Sequence, residues 1–249
     1  MSERIAMCFS GGKDSALALH ALQRSGAYRV ETLITTVTDA YDRVSMHGVR
    51  RALVRDQAAS IGVPLVEVVV PPRSSNEIYE RAMGEAFDRL HDGGIRRVAF
   101  GDIFLEDLRE YRERQLAASG LECLFPIWKQ PTAVLAQSFI RDGFEAVAVC
   151  INPAVLDASF AGRAFDAAFV ADLPEGVDPC GENGEFHTFV WAGPILPRPV
   201  PVTRGEVVER DGFVFCDLLA VEGVTSTAPG GSNSAAGRDD RLRTEGTRG

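Results

Sequence analysis

Short apolar runs alternate with segments of helical period along the first 150 residues of the chain. Arg4–Phe9, Val30–Val37, Leu65–Val70, Arg97–Phe100 and Ala146–Ile151 are brief and apolar, which predicts buried strands. Between them, Ser15–Arg24 and Val49–Ile61 carry apolar residues at helical spacing and are stopped by Gly26 and by Gly62-Val63-Pro64. Asn76 stands where it would cap a helix running to about His91, before Gly93-Gly94. Leu105–Ser119 and Thr132–Ile140 read as further helices, each followed by a glycine, Gly120 or Gly143. Alternation of this kind predicts an α/β fold: a doubly wound, mostly parallel sheet with helices on both faces.

Beyond Pro126 the pattern changes. Pro153, Pro174, Pro179 and the Pro194–Pro201 cluster cut the chain into short pieces. Glu206–Glu209 and Phe213–Val221 flank Arg210-Asp211-Gly212, a strong hairpin signal. The expected organisation is a first domain over 1–125, a smaller α+β domain over 126–223 and a disordered tail over 224–249, where there is little to bury. The strand at 146–151 fits either domain.

Ser10-Gly11-Gly12-Lys13-Asp14-Ser15 sits between the first strand and the first helix. Two glycines let the backbone approach an anion, and the helix N-terminus adds partial positive charge. Lys13 brings a full charge, Ser10 and Ser15 bring hydroxyls, and Asp14 suits a phosphate cradle only if a cation such as Mg²⁺ bridges it. A Walker A loop needs a different glycine spacing. The segment instead resembles the S-G-G-x-D-S loop of the PP-loop ATP pyrophosphatases, which split ATP into AMP and pyrophosphate. Of 26 basic residues all but Lys13 and Lys129 are arginine, so lysine stands here in a chain that otherwise uses the planar fork. In such sheets ligands bind beyond the carboxyl ends of the strands, where Ser10–Ser15, Thr35–Asp39 (with Thr36 as the nucleotide contact), Pro71-Pro72 and Gly101-Asp102 are expected to converge.

Three further segments make the chain similar to the diphthine–ammonia ligase family: Gly101-Asp102-Ile103 with Tyr111-Arg112-Glu113-Arg114, then Leu124–Trp128, then Cys180-Gly181-Glu182-Asn183-Gly184-Glu185-Phe186-His187-Thr188. With the glycine loop they cover about residues 1 to 223. The resemblance implies a ligase that adenylates a carboxylate acceptor with ATP and Mg²⁺ and amidates it with ammonia. Lys13, Gly11 and Gly12 would hold the pyrophosphate, Asp14 the metal, and Ser10 and Ser15 the register. Gly101, Asp102 and His47 would meet the nucleotide, although Asp102 also reads as a helix cap. Tyr111, Arg112, Asn152, Asn183 and Thr188 would meet the acceptor, although charged residues on one helix also read as a solvated face. Glu182, Glu185 and His187 would serve catalysis or grip the acceptor, or would be a surface turn. The family's best-known branch reads E-G-G-E-[FY]-E-[TS] here, so Asn183 and His187 are departures. They ally the chain with a bacterial G-E-N-G-E-F-H branch and argue for an acceptor, small molecule or protein, other than diphthine.

Composition narrows the partners. A net charge of −9 over 249 residues argues against a broad nucleic-acid surface, and no apolar run is long enough to span a membrane. Five cysteines without a C-x-x-C pair argue against a disulfide framework or zinc site, which fits the cytoplasm. With no room for a glutaminase domain, ammonia would be free or come from a separate glutaminase. A homodimer is left open. Two other readings stand: a tRNA-thiolase-like sulfur transfer through Cys180, and a nucleotide sensor without turnover.

Overall fold

The computed structural model describes residues 2–45 and 47–221. The tail expected from 224 lies outside them. Ten strands, six α-helices and two short 3-10 turns are defined among the described residues.

Period-two burial builds the first layer. Strands β1 (Glu3–Cys8), β2 (Tyr28–Thr38), β4 (Leu65–Val70), β5 (Arg97–Ala99) and β6 (Glu122–Leu124) pair in parallel in the order β4-β2-β1-β5-β6, and the short β3 (Arg43–Val44) adds antiparallel to the end of β2. Ile5, Met7 and Leu33 face one core, with α1 (Lys13–Ser25) and α2 (Arg51–Ile61). Ala6, Ile34 and Val98 face the other, with α3 (Asn76–Asp92) and α4 (Glu106–Ala118). The direction of winding reverses between β1 and β5, which opens a crevice beyond their carboxyl ends.

The second layer is antiparallel. β7 (Glu145–Ile151), β8 (Phe186–Ala192), β9 (Val202–Arg210) and β10 (Phe213–Ala220) run in the order β8-β7-β10-β9. Residues 146–151 are thus a central strand of this sheet, and the hairpin turns at Asp211-Gly212. Helix α5 (Thr132–Arg141) packs on α1 and on α6 (Ala167–Ala171), whose Phe169 meets Phe186 of β8. One continuous core joins the two sheets, with α1 between them: Ala16–Leu19 and Leu22 are all buried, as a helix covered on both sides requires.

Two local expectations shift, and two short strands go unforeseen. Ser75, not Asn76, caps α3, accepting from the Ile78 amide. Asp102 caps nothing, since Leu105 is the N-cap of α4. β3 and β6 are too short for their periodicity to register in sequence.

Candidate active site

The glycine loop connects β1 to α1 in the crevice. Phe9 N–H extends the sheet by donating to Ile34 O at 2.7 Å, and the chain then turns through Gly11 at φ +80°. A Cβ there would sit 2.4 Å from Gln57 Oε1. Gly12 O accepts from Ser15 Oγ at 2.9 Å and Ala16 N at 3.0 Å, which starts the helix. Of the first-turn amides, which have no intrahelical partner, Lys13 N is taken by a side chain of the second sheet, which leaves those of Asp14 and Ser15 to face an anion. Gly101 closes the far wall, where a Cβ would fall 2.9 Å from backbone atoms of Asp14 and Ser15.

The second sheet forms the other wall. Thr188 Oγ1 accepts from Lys13 N at 3.0 Å, and Val190 N donates to Gly11 O at 2.9 Å. Thr188, read from the sequence as an acceptor contact, therefore supports the glycine loop. The turn leading into β8 folds over Lys13. Glu185, buried at 5% exposure, accepts from Asp178 N and Asn183 Nδ2 with Oε1 and from Asn183 N with Oε2. Glu185 and Asn183 are thus occupied with each other in shaping the turn. Glu182 reaches back to the first domain, with Oε1 accepting from Ile103 N at 2.7 Å.

Lys13 is the most deeply placed charge, only 2% exposed. Its Nζ donates to Asp14 Oδ2 at 2.9 Å and to Cys180 O, and stands over the rings of Phe186 and Phe165 at 5.2 and 5.9 Å. Burial works against its charge, but Asp14, helped by Cys180 and Glu182, outweighs that and keeps the ammonium protonated. Burial also raises the Asp14 carboxyl, whose Oδ1 is buried without a partner. Burial, with Asp14 and Asp102 nearby, pushes Glu182 up to about 7. His187 is held down at about 4, first by burial and then by Lys13. His47 is lowered too, by burial and by its neighbour His187, and both rings are neutral at pH 7, 4.5 Å apart.

The donor set fits a magnesium ion in one way. Among the described residues no group of three or more His, Cys, Asp or Glu could hold a metal. Asp14 Oδ1 offers a single carboxylate oxygen beside the phosphate cradle, and Mg²⁺ commonly takes one or two carboxylates and completes its shell from phosphates and water.

The remaining predicted residues have partners outside the loop. Asp102 forms a two-point pair with Arg112 at 2.6 and 3.3 Å, and Arg112 also stacks on Phe100 at 4.6 Å. Tyr111 turns to Glu80 and lines, with Arg114 and Gln115, a cavity of about 410 Å³ between α3 and α4, so that cavity is not where the loop chemistry gathers. Asn152 Oδ1 accepts from Ala154 N in a local turn. Thr36 shares the face of Ile34, towards α3 and α4. The neighbouring Thr35 is buried on the α1 side, its hydroxyl without a partner. Alternation alone could not tell which of two adjacent threonines points inward. Gln57, missed in the sequence, is fully buried against the loop. Burial pushes Cys8, Cys123, Cys150 and Cys180 up to about 12, so none is a ready thiolate.

A parallel sheet with this strand order and a glycine loop of this sequence at its switch point define a protein of the PP-loop type. Residues 3–123 match the diphthamide synthase N-terminal domain family and residues 131–218 its C-terminal domain family, and the chain belongs to the diphthamide synthase family. Diphthine–ammonia ligase of Bos taurus is 22% identical over 237 residues, covering 86% of this chain and 88% of its own length. That of Rattus norvegicus is 23% identical over 256 residues, covering 91% and 96%. The Homo sapiens ligase is 22% identical over 237 residues. This is a family of ligases. No helix among the described residues is long and apolar enough to cross a membrane.

Proposed function

We propose that this chain adenylates a carboxylate acceptor with ATP and then amidates it with ammonia. An acceptor oxygen attacks the α-phosphorus, the bond to the bridging oxygen breaks and pyrophosphate leaves. Ammonia then attacks the acyl carbon, AMP leaves, and one proton is shed. The observation that carries this reading is the juxtaposition of Glu182 with the glycine loop: a carboxylate of raised pKa stands over a phosphate cradle, tied to Ile103 on one wall. Only Oε1 of Glu182 accepts from that wall, which suits the carboxylate to take the proton from the nitrogen. The loop amides and Lys13 oppose the charge of the departing pyrophosphate. Asp14 would hold Mg²⁺, which when bound offsets phosphate charge. His47 and His187, both neutral, can accept N–H groups but are too weakly basic to carry the proton at pH 7.

The acceptor is other than diphthine, because Asn183 in the turn and His187 at the start of β8 depart from the known branch. Ammonia arrives free or from a separate glutaminase. Sulfur transfer is disfavoured by the buried, fully protonated Cys180 thiol. The test is product analysis of ATP, Mg²⁺ and ammonium with a panel of carboxylates, for wild type and Lys13→Ala. AMP and pyrophosphate are expected with one acceptor and lost in the variant. ADP and phosphate as products would sink the reading.

A further inference from the structure

Gln57 has no exposed surface, although it lies on the buried face of α2 beside Leu53, Val54 and Ala58, where an apolar side chain would be cheaper. Its Nε2 donates to two carbonyls, Gly11 O at 3.0 Å and Val190 O at 2.5 Å. Both partners are acceptors, so the NH₂ end is assigned by chemistry. Its Oε1 is buried with no partner. A buried amide with one oxygen left unsatisfied is a cost that packing does not explain.

What the amide does is geometric. Gly11 O is held from two sides, by Gln57 and by Val190 N at 2.9 Å. In a trans peptide the carbonyl of Gly11 and the N–H of Gly12 point in opposite directions. Pinning the carbonyl against α2 and β8 therefore aims the Gly12 N–H to the other side, where it has only Ser10 Oγ at 3.3 Å. A weak intraloop bond of that kind is readily exchanged for a phosphate oxygen. Val190 O, the second acceptor, belongs to the antiparallel sheet, so one side chain of the first domain ties the glycine loop to the second.

We propose that Gln57 is a positioning residue: it locks the glycine loop onto β8 and so presents the Gly12 amide to the nucleotide. The proposal rests on the reading of the loop as a polyphosphate site. It adds that the second domain is part of the device that shapes the loop, not only a surface for the acceptor.

The test is calorimetric binding of Mg-ATP to the full chain, with Tm measured in parallel, for wild type, Gln57→Met, Gln57→Leu and Leu53→Ala. The two Gln57 variants keep the volume but lose the donors. They are expected to weaken ATP binding at least tenfold with a smaller loss of Tm than Leu53→Ala, which removes core volume and should leave ATP affinity near wild type. If Kd follows Tm across all four proteins, or if either folded Gln57 variant binds as wild type does, the positioning role is overturned. If wild type itself binds no Mg-ATP, the polyphosphate reading falls and this proposal with it, a result distinct from selective loss in the variants.

Discussion

At the scale of single residues, the site is governed by burial of charge. Lys13 keeps its ammonium because Asp14 and the Cys180 carbonyl meet it. Glu182 is different: burial lifts it to about 7, so it changes charge in the working range. As a base it must be ionised, so amidation should rise with pH through about 7, with a further rise at higher pH as ammonium itself ionises. Glu182→Gln should lose the lower limb and slow amidation by about 10²–10⁴-fold, the ordinary contribution of a positioned base. A steady-state pH profile of both proteins checks this, and an unchanged limb in the variant would remove Glu182 from proton transfer. The sequence singled out Lys13, Asp14 and Glu182, because their motif is local. It could not separate Glu185 from Glu182. Both are acids in one turn, yet the first is spent on Asn183 and Asp178 N while the second reaches Ile103.

At the scale of elements, the loop depends on close backbone approach. Gly101 packs on the backbone of Asp14 and Ser15, so Gly101→Ala must push α1 or the 101–104 segment outward. The expected cost is about 1–3 kcal/mol of stability, the usual range for overpacking, with ATP binding weakened beyond that loss. Gly184→Ala is the comparison: its φ of +85° makes it strained, but open space surrounds it, so ATP binding should be spared. Urea unfolding and nucleotide titration read the two effects apart. The strands and helices around the loop were legible because β-rich runs and helical period alternate. The crossing of β8 behind the loop was not, because Thr188 meets Lys13 N across 175 residues.

At the scale of the whole molecule, the two sheets are also tied at the periphery. Asp217 on β10 accepts from Arg43 at 2.8 Å and from Arg50 at 2.6 Å, joining the antiparallel sheet to β3 and the start of α2. Burial alone would raise the Asp217 carboxyl, but its hydrogen bonds from Arg50 and Arg43 bring it down to about 2. A carboxyl lowered on folding stabilises at neutral pH, and that contribution is lost as pH falls from its ordinary value of 3.8 through about 2. Asp217→Asn should therefore cost about 1–2 kcal/mol at pH 7, allowing for the exposure of Arg50. The difference from wild type should shrink as pH falls through that window. Denaturant midpoints across pH 2–7 would show it, and a gap independent of pH would assign the effect to packing instead.

The sequence by itself determined the class of fold, the glycine loop and the hairpin at Asp211-Gly212. Each depends on neighbours within a few residues: strand and helix period, a left-handed glycine, a charge beside a helix start. Only the tertiary structure decided which residues share the site. It set Gln57, Thr188 and Val190 behind the loop, turned Thr35 towards α1 and Thr36 towards α3 and α4, and drew Arg112 onto Asp102. Those pairings join segments distant in sequence through one core packed on both sides of α1, and no local pattern encodes which side chain a buried donor will meet.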